Sequence, residues 1–407
     1  MKSFSKASTA TILLSSVIST AAFAADSYLE TFDTSTPVNF SYGSGGNKAA
    51  FTHISGYDSP DESGTKVLLL ELDPAEKAGA WQGPNYTSKK MGHFGRYVAR
   101  IKTASARGSE QPKAGAVVGF YTYYNDKYGS AQTPDINGNG VPDNSEIDFE
   151  WLIADPRIVY MTAYTDFDDE TGKMGKVNRT INLATGKIIS TTYANSWSGG
   201  TRLTGDENLP ETIPAIEGYD ASAQFYTYGF DWMSDHIRWW IINPKDEKDT
   251  VTLWDYRGPK ERITQKPASL MINFWHTDDW SVEGVAGSIE TPRLKFQTQI
   301  DWAGYTPESE ISTAESSSST MGASSSSGSN SSSSVTNPPG SSASDDNTAL
   351  KSFFEKSDLT ESVEVFDVNG QFIGKFTGIW ADFVKRMPHT GVYLLKTPRK
   401  TQKVWLR

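Results

Sequence analysis

Carboxylates alternate with apolar residues in one short segment of the sequence, Glu146-Ile147-Asp148-Phe149-Glu150. Successive side chains of a β-strand point to opposite faces, so an extended segment places the three acids on one face and Ile147 and Phe149 on the other. Three neighbouring acids repel one another, which favours a chemical role for them over a structural one. Paired carboxylates hydrolyse glycosidic bonds, one attacking the sugar and the other protonating the leaving oxygen.

The spacing of the outer two acids makes a geometric demand. Glu146 and Glu150 are four residues apart, so in a flat strand their backbones lie roughly 13 Å apart. A retaining glycosidase needs its two carboxyl groups about 5–5.5 Å apart. Only a concave, twisted sheet lets the two side chains lean together, with Asp148 between them to adjust their protonation. The segment therefore predicts a curved sheet.

The composition narrows the class of partner. The chain has 407 residues, no cysteine and a net charge of −11, which argues against nucleic acid or an anionic membrane as a partner. Twelve Trp and eighteen Tyr exceed what a core needs, and half-exposed aromatic rings commonly stack on sugars. We expect a neutral polysaccharide as the partner of a monomeric protein.

The first residues have the pattern of a secretory signal. Lys2 and Lys6 precede a short apolar run over 10–18, and Ala22-Phe23-Ala24 is a small-residue cleavage site. The run is too short to span a bilayer, and no later segment is apolar enough. We predict a signal peptide over 1–24 and a secreted bacterial protein without a membrane span.

Residues 25–307 are predicted to form one catalytic domain, an all-β jelly-roll sandwich of two curved antiparallel sheets. Short runs of aromatic and β-branched residues alternate there with Gly, Asn, Asp and Pro clusters. The clearest predicted strands are Tyr97–Ile101, Val117–Tyr123, Phe225–Phe230, Ile237–Ile242 and Leu270–Trp275.

A serine-rich stretch over 308–347 is predicted to be a flexible linker, because it cannot bury a core. Residues 348–407 follow as a small basic β module, with ten Lys or Arg against six Asp or Glu from Leu350 onward. Its apolar runs, Val363–Phe366 and Gly391–Leu395, resemble those of C-terminal sorting or surface-attachment domains of bacterial polysaccharidases. A degenerate sugar-binding module is the alternative.

The acidic segment resembles the signature of glycoside hydrolase family 16, the retaining jelly-roll endoglycanases, in its unbulged, lichenase-like form. Phe94–Lys102, Tyr226–Trp232 and Met271–Trp275 resemble other segments of that family in order and spacing. The resemblance implies that Glu146 is the nucleophile, Glu150 the general acid/base and Asp148 the residue that tunes them. It also implies sugar-contacting roles for Tyr121, Tyr123, Tyr164, Asn273 and Trp275. His276, next to Trp275, is expected near the substrate as well.

The resemblance implies a retaining endo-β-glucanase that acts on mixed-linkage β-1,3-1,4-glucan or a related neutral β-glucan. Two segments depart from the lichenase pattern, Gly83–Thr87 and Thr162-Ala163, so altered sugar contacts are expected. A transglycosylase or a xyloglucan endohydrolase on the same site is the alternative reading. A non-catalytic glycan-binding protein is a further one, although binding alone does not require three acids together.

An Asp- and Asn-rich loop precedes the acidic strand. Its oxygen-bearing residues at positions one, three, five and nine, with Gly140 at position six, resemble a calcium loop: Asp135, Asn137, Asn139 and Asp143. A structural Ca²⁺ there would fix the entry to the strand, whereas an Asn/Gly-rich turn would do so without a metal. The glycosidic chemistry itself requires no cofactor.

Overall fold

The structure, a computed structural model, describes residues 26–34, 36–43, 51–59, 62–75, 83–128, 135–197, 199–278, 280, 289–311 and four strands between 363 and 406. For 51–59, 62–65, 247–248 and the four C-terminal strands it describes the backbone alone. The predicted signal peptide lies outside the described residues. So does the predicted linker, apart from a helical turn at 308–311, and both stay predictions.

The main body is built of strands, as predicted. In chain order they are β1 (Tyr28–Glu30), β2 (Phe40–Gly43), β3 (Phe51–Ser59), β4 (Glu62–Leu72), β5 (Asn85–Gly92), β6 (Gly95–Lys102), β7 (Ala116–Tyr123), β8 (Asp143–Leu152), β9 (Ile158–Asp168), β10 (Lys173–Asn182), β11 (Lys187–Ser196), β12 (Thr201–Arg202), β13 (Tyr226–Trp232), β14 (Ile237–Asn243), β15 (Asp246–Tyr256), β16 (Ala268–His276) and β17 (Phe296–Pro307). Two 3₁₀ turns, Gly205–Asn208 and Lys260–Arg262, lie in the connections.

These strands form two antiparallel sheets. One sheet has the order β15-β14-β13-β6-β17-β4-β3, with β1 added beside β17. The other has the order β12-β11-β10-β9-β8-β7-β16-β5-β2 and places the acidic strand β8 at its centre. Neighbours distant in sequence, such as β7 and β16, pair directly, and the jelly-roll sandwich predicted from the sequence is confirmed.

Aromatic side chains from both sheets fill the space between them. Phe120 of β7 lies 5.4 Å from Phe230 of β13, and Trp151 of β8 lies 4.6 Å from Tyr228, measured between ring centroids. Trp151 and Tyr228 are fully buried, and burial of each such ring contributes several kcal/mol in order-of-magnitude terms. One face of β8 is thus committed to the core, which leaves its acidic face to the outside of the sandwich.

Bulges bend the sheet that carries β8. The pairing register shifts between Asp143 and Glu146 against β9, and again between Gly175 and Lys176 where β10 meets β9. A bulge adds one residue to one strand, which bends it and increases the local twist. These register shifts favour the bend and twist that the spacing of the acids requires.

The C-terminal strands pair among themselves. They are β18 (Val363–Asp367), β19 (Phe372–Phe376), β20 (Gly391–Thr397) and β21 (Lys400–Leu406), and they form an antiparallel sheet in the order β19-β18-β20-β21. The apolar runs noted in the sequence supply β18 and β20. Among the described residues, no helix has both the length and the hydropathy to cross a membrane.

Candidate functional site

The two faces of β8 differ as the alternation predicts. Ile147 and Phe149 are fully buried on the core side. Glu146 and Glu150 are half-buried on the opposite face, and Asp148 between them is only 3% exposed. The indole Nε1 of Trp239, from the other sheet, donates a hydrogen bond of 2.9 Å to the Asp148 carbonyl oxygen, which anchors the strand from beneath.

All three acids line one cavity. Its volume is about 300 Å³, and residues of β8, β7, β16 and β5 contribute to its lining. The lining residues are Gly83, Asn85, Tyr121, Glu146, Asp148, Glu150, Asn273 and Trp275. The structure therefore brings the acids together with three of the predicted sugar-contacting residues, Tyr121, Asn273 and Trp275.

Hydrogen bonds orient the polar groups of the cavity. Asn144 Nδ2 donates to Glu146 Oε2 at 2.9 Å, and Asn273 Nδ2 donates to the Tyr121 hydroxyl at 3.2 Å. Asp148 Oδ2 and Asn273 Oδ1 are buried and have no hydrogen-bond partner within the described part of the chain. Buried polar atoms are normally paired, so these two oxygens are suited to hydroxyl groups of a ligand.

Burial dominates the electrostatics of the acids. It raises the pKa of Glu146 to about 7, against the opposing effects of the Asn144 amide and the Lys176 charge. Burial, and then the charge of Glu146, raise the pKa of Glu150 to about 8. The pKa of Asp148 is raised still more clearly, by burial and by the charges of both glutamates. Both glutamates therefore keep their protons to a higher pH than a solvated carboxyl group does.

Two predicted contacts lie beside the cavity. Tyr164 is the cross-strand neighbour of Glu146 on β9, and the Lys176 ammonium lies 5.1 Å from its ring centroid. Tyr123 follows Tyr121 by two residues on β7, and the charge of Glu146 helps burial to raise its pKa. Both tyrosines therefore face Glu146 from neighbouring strands, outside the residues that line the cavity.

His276 lies away from the cavity. Side chains along β16 alternate, so Asn273 and Trp275 face the cavity while His276 points to the opposite side. Its Nε2 is 2.8 Å from the Asp73 carbonyl oxygen, and 2% of the residue is exposed. The expectation that His276 contacts the substrate disagrees with this position, because adjacency in a strand separates side chains rather than joining them.

The predicted calcium loop is closed by its own hydrogen bonds. The Asp135 carboxylate accepts from the Gly138 and Gly140 amides at 2.8 and 2.7 Å, and Asn139 Oδ1 accepts from the Val141 amide at 2.8 Å. Asn137 Nδ2 donates to Asp166 Oδ1 at 2.9 Å. Such Asx turns shape a loop without a metal.

The remaining predicted ligand, Asp143, is paired with a lysine. Lys266 Nζ lies 2.6 Å from Asp143 Oδ2 and also contacts the Asp126 carboxylate. A calcium ion on Asp143 would face this ammonium at short range, and the described residues contain no group of three His, Cys, Asp or Glu side chains that could hold a metal. Lys266 thus pairs with one of the four predicted ligands, Asp143, and calcium binding by the loop stays a prediction.

Lys266 also secures the strand that carries the acids. Its backbone amide donates to Ser145 Oγ at 2.9 Å, within the bulge that places Asn144 against Glu146. Replacing Lys266 with Met removes the ammonium that pairs with the carboxylates of Asp143 and Asp126. We expect a loss of about 3–5 kcal/mol in the free energy of unfolding, the range for breaking a buried ion pair, measured by urea denaturation.

A matched variant separates charge from packing. The triple variant Lys266→Met, Asp126→Asn, Asp143→Asn removes both carboxylate charges together with the ammonium. We expect this variant to recover most of the stability that Lys266→Met loses. Equal instability of the single and triple variants would contradict the role of the ion pair.

Sequence reasoning did not single out several residues of the site. Gly83 and Asn85 line the cavity in the segment that departs from the lichenase pattern. Gly119 makes room for Asn273, because a Cβ there would lie 2.5 Å from Asn273 Oδ1. The spacing of Asn144, two residues before Glu146 on the same strand, could have indicated that the two side chains share a face. No sequence pattern places Lys176 near the acids, because it lies on a different strand, β10.

Curated relatives share parts of this chain. It is 32% identical over 90 residues to a β-glucanase of Brevibacillus brevis, a match covering 22% of this chain and 30% of the relative. It is 25% identical over 248 residues to a β-glucanase of Acetivibrio thermocellus, covering 59% of this chain and 51% of the relative. The chain thus spans about half, or less, of the length of the curated relatives it matches. No family model matches it.

Solved structures with a similar strand arrangement include two glucanases. A prokaryotic β-1,3-1,4-glucanase (lichenase) from a mouse hindgut metagenome is 18% identical, with a TM-score of 0.39 over 69% of this chain and 99% of that one. The β-glucanase of Bacillus licheniformis is 19% identical, with a TM-score of 0.37 over 70% and 99% of the two chains.

Proposed function

We propose that this protein is a secreted, retaining endo-β-glucanase of the glycoside hydrolase family 16 type, acting on mixed-linkage β-1,3-1,4-glucan or a related neutral β-glucan. The observation that carries the proposal is the presence of Glu146, Asp148 and Glu150 on one strand face, all lining one cavity. The names of the curated relatives, all β-glucanases or a xylanase/β-glucanase, support the same class of reaction.

The proposed reaction has two steps. The ionised Glu146 carboxylate attacks the anomeric carbon while Glu150 gives its proton to the glycosidic oxygen, so the leaving sugar chain departs with that oxygen. Glu150, now ionised, takes a proton from water, whose oxygen displaces Glu146 and restores the anomeric configuration. The raised pKa of Glu150 supports its role as the acid, because a carboxyl group that keeps its proton near neutral pH can donate it.

Asp148 lies between the proposed nucleophile, Glu146, and the proposed acid, Glu150. Burial and the charges of both glutamates raise the pKa of Asp148, which favours its protonated form beside an ionised glutamate. A neutral Asp148 adds no negative charge between the nucleophile and the acid.

The ring and amide groups of the cavity suit a neutral sugar. Trp275 offers an aromatic face that Trp280 supports edge-on, with ring centroids 5.9 Å apart. The unpaired Asn273 Oδ1 can accept a bond from a sugar hydroxyl. Such a mixture of ring faces and uncharged polar atoms is what binding of an uncharged polysaccharide requires.

The substrate is tested with the full-length chain on barley glucan, lichenan, laminarin, xyloglucan and agarose, scored by new reducing ends. We expect the highest kcat/KM on one of the two mixed-linkage glucans. Activity confined to agarose would contradict the proposed substrate class. Product lengths separate hydrolysis from transfer, because hydrolysis only shortens chains whereas a transglycosylase also lengthens some.

Export and attachment form a separate part of the proposal. The N-terminal pattern supports cleavage after Ala24, and the basic C-terminal strands support a sorting or attachment role. N-terminal sequencing of the secreted protein should begin at Ala25. Deletion of 348–407 should change its distribution between cell surface and medium without abolishing glucanase activity.

A further inference from the structure

Lys176 is a cation on the face of the sheet that carries the acids. It lies on β10 opposite Tyr164 of β9, which in turn lies opposite Glu146 of β8. Side chains in register across neighbouring strands share a face. Lys176 is half-buried, and its ammonium rests 5.1 Å from the Tyr164 ring centroid, a cation–π distance.

A bulge aims Lys176 at this place. Gly175 pairs with Asp166, but Lys176 pairs with Tyr164, so the register skips Thr165. Gly175 permits the skip, because a Cβ there would lie 2.6 Å from both Asp166 Oδ2 and Thr165 Oγ1. A side chain at Gly175 would require its neighbours to move, so the glycine maintains the register that places Lys176 opposite Tyr164.

Tyrosines of the two neighbouring strands are the other titratable groups beside the acids in the described part of the chain. Tyr121 and Tyr123 of β7 flank β8 on one side, and Tyr160 and Tyr164 of β9 flank it on the other. β16 contributes Asn273 and Trp275, which do not titrate. The charge of Lys176 acts on Glu146, Asp148 and Glu150 alike.

We propose that Lys176 is a positioning residue whose ammonium group, held over the Tyr164 ring, sets the pH range of the reaction by favouring the ionised form of the carboxylates on this face, the nucleophile Glu146 included. The proposal rests on the proposed function. Lys176 touches neither glutamate in an ion pair of the described structure; it acts across the Tyr164 ring on the charge of the whole group.

The test is the pH profile of kcat/KM for full-length Lys176→Met and Lys176→Arg on the best glucan substrate. Loss of the positive charge disfavours every ionised carboxylate. In Lys176→Met, the acidic and the alkaline limb of the pH profile should therefore both move to higher pH, by about half a unit to one unit. One unit is a tenfold change in ionised fraction. On the acidic limb kcat/KM should therefore fall roughly 3- to 10-fold, while on the alkaline limb it should match or exceed the wild type. Lys176→Arg should keep the wild-type profile.

An unmoved profile in Lys176→Met would overturn the proposal, whatever the size of the activity loss. A rise in KM alone would also overturn it, since that result marks a sugar contact. If Lys176→Met does not fold, Lys176→Gln serves in its place. The proposed function fails separately, if Glu146→Gln remains active.

Discussion

Glu146→Gln is expected to lose turnover on glucan by at least about 10⁴-fold, a magnitude typical of removing a catalytic nucleophile. The amide is isosteric with the carboxylate but cannot attack the anomeric carbon, so no glycosyl-enzyme forms. In the wild type, Asn144 Nδ2 donates a hydrogen bond to Glu146 Oε2. The side-chain oxygen of a glutamine at position 146 can accept the same hydrogen bond. Initial rates of reducing-end release measure the loss.

Binding separates this result from misfolding. Glu146→Gln should retain glucan affinity in native affinity electrophoresis and unfold at a temperature close to that of the wild type. Glu217→Gln is the matched control, because Glu217 is exposed and pairs with Lys245 away from the cavity. We expect wild-type activity from the control. Undiminished turnover in Glu146→Gln would refute the nucleophile.

Glu150→Ala is expected to lose about 10²- to 10⁴-fold on glucan, the usual contribution of a general acid. The loss should depend on the leaving group. A sugar hydroxyl needs the proton of Glu150, whereas an activated aryl glycoside leaves without it. The ratio of kcat/KM on an aryl β-glucoside oligomer to that on glucan should therefore rise sharply in the variant.

Azide gives the matching control for Glu150→Ala. A small anion can enter the space of the missing side chain and attack the glycosyl-enzyme without base assistance. We expect azide to raise the rate of Glu150→Ala on the aryl substrate and to yield a β-glycosyl azide. An α-azide product, or equal losses on aryl and polymeric substrates, would contradict the assignment of Glu150.

The sequence was sufficient to predict the sandwich and the face of β8, because both follow from period-two alternation. Ile147 and Phe149 could not be exposed without a large loss of burial, so the register of the acids was determined. The resemblance to a known family added Tyr121, Asn273 and Trp275, and the structure places all three at the cavity with the acids.

The remaining features depend on tertiary contacts that a linear pattern does not contain. Lys266 is 123 residues from Asp143 in sequence, yet its ammonium pairs with this predicted calcium ligand. Lys176 faces the acids only because a bulge at Gly175 shifts the register of β10. His276 was expected beside the substrate from its neighbour Trp275, although alternation in β16 turns it away.

The central claim is that Glu146 becomes covalently bonded to the sugar. A 2-fluoro β-glucosyl oligosaccharide with an activated leaving group slows the second step and lets the intermediate accumulate. Peptide mapping of the inactivated full-length protein by mass spectrometry then locates the sugar. We expect the label on Glu146. A label on Glu150 or on any other residue would contradict the role of Glu146 as the nucleophile.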